Sequence, residues 1–310
     1  MKLMVFLGLV FIVLPFSLAS PSFCHAKSNE GSVLELVVRP NKKAGESVKK
    51  LFKNKLLELV LEKTRATYGD YSITEYDSPV SQARVISQIK KGEIFRVIAT
   101  MDSVEREKSI WPIKIPVYKG LLGHRIFIIR PEDQSRFSSI ESLSELKKLV
   151  AIQGHDWPDS DILESNGMSL YRSPNYQGIF QMIQAKRGDY FPRGVHEPWK
   201  ELERNRALNL AVEKSLLLKY DAPSYFFVRY GDEEMHNRIS EGFLTAIADG
   251  SFNKLFYNDP EIKDVFRKAS LKERRVFYIE NPSLPPDTPL ENADWWYKIG
   301  DEISFYSGKQ

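Results

Sequence analysis

One arginine in the middle of the chain follows a buried strand and stands among hydroxyl side chains. Residues 92–130 read GEIFRVIATMDSVEREKSIWPIKIPVYKGLLGHRIFIIR, which is an apolar strand, a short polar loop and a second apolar run. Arg106 lies in the loop, with Thr100 and Ser103 shortly before it. A guanidinium fixed beyond a strand end donates two parallel hydrogen bonds to a carboxylate. The segment therefore predicts a receptor for a small carboxylate; the competing interpretation is a solvated arginine in a Glu-Arg-Glu-Lys run.

A glycine-bearing loop later in the chain is the second candidate. Gly154, His155 and Asp156 lie between an apolar strand and a predicted helix that begins near Asp159. Backbone N–H groups at a helix start can bind an anion. The alternative is an ordinary loop in which Asp156 or Asp159 caps the helix. Capping and solvation explain the local acids better than a metal site does, so we expect no metal and no cofactor.

The third candidate is Arg193, in the sequence PRG after a short predicted strand. If Arg193 faces the same cleft as Arg106, the two positive charges favour a dianion over an α-amino acid zwitterion. The alternative is an ion pair between Arg193 and Glu197 or Asp189. Glu197 or Asp156 could also supply an acid for a ligand ammonium group, so amino acids stay open as ligands.

The motifs of common hydrolases do not occur in the sequence. There is no Gly-x-Ser-x-Gly elbow and no His-Glu-x-x-His. The histidines beyond the N-terminal segment do not stand at metal-ligand spacing from one another; they are His124, His155, His196 and His236. The sequence therefore favours a binding protein over an enzyme.

The first residues predict export. One basic residue precedes the apolar run at 3–14, which suits a signal peptide and is shorter than the about 20 residues that a membrane-spanning helix needs. Small residues favour cleavage after Ala26, with Ala19 as the rival site and a retained N-terminal anchor as a less favoured alternative. Phe23 disfavours a lipid anchor on Cys24, the single cysteine. We therefore expect a periplasmic protein without disulfides.

Charge and length limit the partners and the architecture. The formal net charge is +3, from 44 basic and 41 acidic residues, so nothing indicates nucleic acid or a lipid surface. After signal cleavage we expect a monomer that does not insert into the membrane. The roughly 280 residues that remain are large for one core and natural for two lobes.

Strands and helices alternate from residue 34 onwards. Strands are predicted at 34–38, 71–76 and 93–100, and amphipathic helices at about 47–67 and 78–92. This βαβαβ order predicts a mainly parallel sheet that is covered on both faces.

A second alternation of strands and helices begins near residue 131. The run 118–130 is predicted as one long strand that leaves the first sheet, and 225–229 as a strand that returns to it. We predict an α/β fold of two lobes joined by a hinge. The predicted parts are a signal peptide at 1–26, a first lobe of 27–130 plus about 222–310, and a second lobe of 131–221.

Two α/β lobes on an exported chain resemble the periplasmic solute-binding proteins of type II. The segment TMDSVEREKSIWPIKIPVYKG is similar to the family 3 group that binds polar amino acids, and FNKLF after a helix end is a second likeness. The resemblance covers about residues 34–256. It implies lobes that close on a small ligand, with Arg106 holding the ligand carboxylate. The stretches GHDWPDSDILESNG and YFPRGVHEPW resemble a subgroup of exported proteins that indicates no ligand.

Two departures from the family pattern bear on the ligand. Met101 stands where the family usually has a threonine, and no acid follows Asp189 where the family pairs a ligand ammonium group. The resemblance implies delivery of a polar, anionic or amino-acid-like ligand to an ABC-type membrane permease. The alternatives are a sensory module for a membrane partner, or a dehydratase-like enzyme that uses Glu197 near Arg193 for acid–base chemistry.

Overall fold

The computed structural model describes residues 33–39, 51–78 and 80–308. The predicted signal peptide at 1–26 lies outside these residues. None of the helices in the described ranges is both long and apolar enough to cross a membrane.

Twelve strands occur within the described residues, and most are short. They are β1 (Leu34–Val38), β2 (Tyr71–Glu75), β3 (Ile98–Met101), β4 (Trp111–Ile113), β5 (His124–Ile129), β6 (Val150–Gly154), β7 (Ser169–Ser173), β8 (Phe191–Gly194), β9 (Ala211–Val212), β10 (Leu216–Lys219), β11 (Ser224–Val228) and β12 (Arg275–Tyr278).

Thirteen α-helices accompany the strands in the same part of the chain. They are α1 (Phe52–Lys63), α2 (Arg65–Tyr68), α3 (Gln82–Lys91), α4 (Val104–Glu107), α5 (Gln134–Ser138), α6 (Leu143–Leu146), α7 (Pro158–Ser165), α8 (Tyr176–Gln184), α9 (Pro198–Arg204), α10 (Glu233–Ala248), α11 (Ser251–Asn258), α12 (Pro260–Lys268) and α13 (Asp301–Tyr306).

The first lobe contains two small sheets. β1 and β2 pair in parallel, as the βαβ pattern predicts. β3 departs from the predicted parallel sheet, because it pairs antiparallel with β11, which also pairs antiparallel with β4. All five residues of β11 are buried, so this strand needs partners on both edges. Its partners come from a distant part of the chain, which local periodicity does not reveal.

The second lobe is built on a sheet with the strand order β12, β10, β5 and β8, in which β9 also pairs with β5. β6 and β7 form a parallel pair, and the Ile152 amide of β6 donates to the Tyr190 carbonyl beside β8. The two α/β lobes predicted from the sequence are therefore confirmed.

Two details of the second lobe differ from the sequence-based description. The run 118–130 is not one strand, because a 3-10 turn at Leu121–Gly123 precedes β5. β12 pairs in parallel with β10, although the prediction gave everything after about residue 222 to the first lobe. The exact lobe boundaries otherwise stay a prediction.

Two chain passages connect the lobes and lie side by side. The first leads from β4 to β5 and the second from β10 to β11. The Tyr220 amide donates to the Gly123 carbonyl at 3.1 Å, and the Val117 amide donates to the Ser224 carbonyl at 2.8 Å. A Cβ on Gly123 would stand 2.0 Å from the Tyr220 carbonyl oxygen, so only glycine allows the passages to approach this closely.

The C-terminal tail makes a third connection. After β12, the Asn281 side-chain amide donates to the Asp221 carbonyl at 2.7 Å. The Ser283 carbonyl accepts from the Val104 amide at 3.0 Å, and Asp287 forms an ion pair with Lys114. The tail thus links the second-lobe sheet to the loop that carries Arg106.

Candidate functional site

A cavity of about 740 Å³ is lined by residues from both lobes. The first lobe contributes side chains from the end of β1, the start of α1 and the segment around β3. The second lobe contributes the loop after β6, the start of α8 and the region of β8 and α9. Its size lies within the range of small-molecule sites. Cations are prominent among the lining residues; they are Arg39, Lys53, Arg106, Arg125, Arg193 and Arg204.

Arg106 is held in the cavity by a single helical turn and by neutral acceptors. The Ser103 side chain caps α4 by accepting from the Arg106 amide at 3.2 Å. Nη1 of Arg106 donates to Thr100 Oγ1 at 2.9 Å and to the Met101 carbonyl at 2.6 Å. Nη2 donates to Gln82 Oε1 at 3.1 Å. These contacts leave Nε and one hydrogen of Nη2 without a partner among the described residues.

Electrostatics leave the Arg106 charge available for an anion. Burial lowers the pKa of Arg106 to about 10, and the charges of Asp102 and Asp156 oppose this shift. The side chain therefore stays protonated at neutral pH. Within the described part of the chain, no carboxylate forms an ion pair with it. A ligand carboxylate would replace lost hydration with a direct charge-assisted contact.

Five of the seven site residues predicted from the sequence line the cavity. They are Thr100, Arg106, Gly154, Asp156 and Arg193. Ser103 and His155 do not line it: Ser103 acts as the cap of α4, and His155 is exposed, with its amide donating to the Ser173 carbonyl at 2.9 Å. Direct ligand contact by any of the seven stays a prediction.

Gly154 gives space to an aromatic wall. A Cβ on Gly154 would lie 2.5 Å from the Trp157 ring, so the ring packs directly on the glycine backbone. Trp157 also stacks near Phe191, with ring centroids 6.3 Å apart. The start of α7 follows, with Pro158 in its first turn and no side-chain cap. The loop therefore positions an indole at the cavity wall.

Arg193 lines the cavity, but its charge is already compensated. Its guanidinium pairs with Glu197 at 2.7 Å and with Glu201 at 2.7 Å. It also lies 5.0 Å from the centroid of the Trp157 ring and 4.8 Å from that of Phe191. The group is 5 % exposed. The prediction that Arg193 adds a free positive charge does not fit this geometry, and the alternative pairing with Glu197 does.

A second buried ion pair was not anticipated from the sequence. Arg125 of β5 is 1 % exposed, and its Nη2 lies 2.6 Å from Asp159 Oδ1. The Tyr220 hydroxyl donates to the same carboxylate, and the Arg125 guanidinium lies 5.4 Å from the Tyr220 ring centroid. Asp159 therefore neutralises a buried arginine beside the hinge. The HRI sequence around Arg125 gives no local signal for this role.

Arg39 and Lys53 are also cavity residues that sequence reasoning missed. Arg39 follows β1, and its Nε donates to the Val80 carbonyl at 2.8 Å. Lys53 lies in the first turn of α1. The available signal was positional, because both residues stand where a parallel strand ends and the next helix begins.

His196 lines the cavity between β8 and α9. Burial lowers the pKa of His196 to about 4, so its imidazole is neutral at pH 7. The His196 ring stacks on Tyr118 with centroids 4.2 Å apart. Among the described residues, no group of three His, Cys, Asp or Glu side chains could hold a metal ion.

The comparisons with known proteins identify the fold. No protein-family model matches the chain, and no curated protein matches it. Solved structures do match, and one is an amino acid ABC transporter substrate-binding protein from Streptococcus pneumoniae bound to L-arginine. It is 15% identical with a TM-score of 0.54, over 75% of this chain and 94% of that chain.

Two further structures have the same fold. The substrate-binding protein of an amino acid ABC transporter is 13% identical with a TM-score of 0.52, over 74% of this chain and 100% of that chain. A histidine kinase sensor domain similar to periplasmic binding proteins is 17% identical with a TM-score of 0.50, over 67% of this chain and 85% of that chain. The predicted likeness to the type II periplasmic binding proteins is confirmed, and at these identities it concerns the fold alone.

Proposed function

We propose that this chain, which has the type II periplasmic-binding-protein fold, is an exported solute-binding protein that closes its lobes on a small polar ligand with a carboxylate. The observation that carries the proposal is the state of Arg106. Its guanidinium faces the cavity between the lobes and is fixed by neutral acceptors from Thr100, Met101 and Gln82. Such a group is preorganised to bind an anion.

Asp156 supports an amino-acid-like ligand over a simple anion. Its carboxylate lines the cavity from the second lobe and lowers the electrostatic cost of the charges on Arg39 and Arg106. No hydrogen bond or ion pair is described for it within the ranges given above. The ammonium group of an amino acid would form an ion pair with Asp156, and the carboxylate of the same amino acid would bind Arg106. Closure would then follow from contacts that exist only when both lobes hold the ligand.

Two partners are compatible with this binding role. Two of the similar structures come from amino acid ABC transporters, so we favour delivery of the ligand to a membrane permease in the periplasm. The likeness to a histidine kinase sensor domain supports a sensory role as the second candidate. Deleting the gene would abolish uptake of the ligand in the first case. In the second case it would alter signalling and leave uptake unchanged.

The binding role is tested with the purified protein and a panel of amino acids, dicarboxylates, polyamines and sugar acids. We expect a rise in the unfolding temperature with at least one carboxylate-bearing compound, and full recovery of that compound after prolonged incubation. Steady disappearance of the compound would favour the enzyme alternative. An absence of any shift, with no heat of binding in calorimetry, would contradict the proposed function.

A further inference from the structure

The charged lining of the cavity is unevenly paired. Six basic side chains face four acidic ones, which are Asp156, Asp159, Glu197 and Glu201. Three of these acids are taken up by Arg125 and Arg193 through the ion pairs described above. No ion pair within the described ranges involves Arg39, Lys53 or Arg106. The wall formed by the first lobe therefore carries more positive charge than one ligand carboxylate requires.

We propose that Arg39 and Lys53 bind a second anionic group of the ligand, so that the protein selects acidic amino acids. This inference rests on the proposed function and names its substrate class. Arg106 would hold the α-carboxylate and Asp156 the ammonium group. Arg39 and Lys53 would hold the side-chain carboxylate, or a phosphate in its place.

The placement of the two cations supports a common anion. Arg39 and Lys53 both line the main cavity and a neighbouring recess of about 40 Å³. Gln82 lines the same recess and also accepts the hydrogen bond from Arg106. Gln82 therefore connects the recess lined by the two cations with the Arg106 guanidinium. A ligand with two separated anionic groups matches this arrangement.

The local backbone adds to the preference for an anion. Lys53 lies in the first turn of α1, which contains no acidic residue and has no side-chain cap. No acidic side chain of this first turn offsets the positive end of the helix dipole, which favours an anion nearby. Arg39 is fixed by its bond to the Val80 carbonyl, so its remaining donors are held in place before the ligand arrives.

Mutual repulsion between the two cations supports the same conclusion. Burial, followed by the nearby charge of Arg39, lowers the pKa of Lys53 to about 8, while Glu261 and Glu197 act in the opposite direction. A bound anion would relieve this repulsion, whereas a cationic ligand side chain would increase it. A basic amino acid is therefore disfavoured here.

The experiment is a calorimetric comparison of L-glutamate, L-aspartate, L-2-aminoadipate and O-phospho-L-serine with L-glutamine and L-arginine. L-glutamine is the neutral isostere of L-glutamate. We expect at least one acidic compound to bind the wild type about tenfold or more tightly than L-glutamine. The acidic series also reports the distance between the two anion sites, and phosphoserine distinguishes phosphate from carboxylate.

Two variants assign the effect to the proposed residues. Arg39→Gln and Lys53→Met should each weaken binding of the best acidic compound about tenfold or more and change binding of L-glutamine less than threefold. Lys108→Met, which removes an exposed cation outside the cavity, is the matched control and should change neither. If Arg39→Gln does not fold, Lys53→Met carries the same test.

Failure of this inference differs from failure of the proposed function. If L-glutamine or L-arginine binds as tightly as every acidic compound, or if both variants keep wild-type affinity for the acidic compound, the second anion site is refuted while ligand binding stands. If no compound of the wider panel binds, the proposed function itself is refuted.

Discussion

Replacing Arg106 by glutamine removes the group on which ligand binding is proposed to depend. In the structure, three of its five N–H donors are used by Thr100, Met101 and Gln82. Nε and one hydrogen of Nη2 remain, and these two nitrogens lie on one edge of the planar group. That edge is the one a carboxylate takes with two parallel hydrogen bonds. Arg106→Gln should therefore lose both bonds at once.

The expected loss can be stated from these two bonds. A hydrogen bond to a charged group contributes about 1.5–3 kcal/mol. Losing two corresponds to about 3–6 kcal/mol, or roughly a 10²- to 10⁴-fold rise in Kd. Arg106→Lys keeps the charge but not the fork, so we expect an intermediate loss, about tenfold or more.

The stability of the unliganded protein should change little in the same variant. Burial of the Arg106 charge is already unfavourable, which is why its pKa is lowered to about 10. Removing the charge therefore offsets part of the cost of losing three bonds to neutral acceptors, and we expect a change within about 1 kcal/mol. Large destabilisation would mean that Arg106 is chiefly a structural residue.

The assay is isothermal calorimetry with the panel compound that the wild type binds most tightly, together with thermal unfolding of each unliganded variant. Arg206→Gln is the matched control, since its side chain is 78% exposed and pairs only loosely with Glu203, at 3.9 Å. It should bind as the wild type does. A folded Arg106→Gln protein whose Kd lies within threefold of the wild-type value would refute the role of Arg106.

Three further predictions concern the surroundings of the site. Burial, followed by the charge of Glu107, raises the pKa of Asp102 to about 7. The folded state therefore holds a proton that the unfolded state releases near pH 4, so the free energy of unfolding should fall between about pH 4 and 7. An Asp102→Asn variant that shows the same fall in denaturant titrations would contradict this assignment. Gly123→Ala places a Cβ 2.0 Å from the Tyr220 carbonyl oxygen, so the free energy of unfolding in urea should decrease by about 2 kcal/mol or more. A decrease of under about 0.5 kcal/mol would exclude the tight approach of the hinge passages. Affinity for an acidic amino acid should decline as pH rises through about 8, where Lys53 loses its proton. Calorimetry of Lys53→Met should show a weaker decline from pH 7 to 9. An identical profile in this variant would show that Lys53 does not cause the pH dependence.

Local sequence patterns predicted much of the framework. Gly92 ends α3 as a left-handed stop at φ 71°, which confirms the predicted helix end, whereas the helix begins at Gln82 behind the Ser81 cap and not at residue 78. The prediction of β1 and β2 in parallel was also correct. These features depend on residues within a few positions of each other, where hydrogen bonding and backbone sterics are set by the sequence itself.

Sheet partners were less predictable. β3 pairs with β11 across more than a hundred residues of sequence, and β12 joins the second-lobe sheet from the C-terminal part of the chain. An apolar strand reports that it is buried but does not report which strand lies beside it. Pairing is decided by the packing of whole layers, so the antiparallel sheet of the first lobe could not be derived from the βαβαβ pattern.

By itself, the sequence determined that an arginine follows a strand among hydroxyl groups, because strand, cap and loop are local features, and Arg106 does face the cavity. Only the tertiary structure decided which charges remain unpaired there. Arg193 of β8 is neutralised by Glu201, which lies eight residues further along the chain in α9. Arg39 and Lys53 form no ion pair with a carboxylate among the described residues. The physical reason is that Coulomb energy depends on separation and burial in space, and neither quantity can be obtained from spacing along the chain.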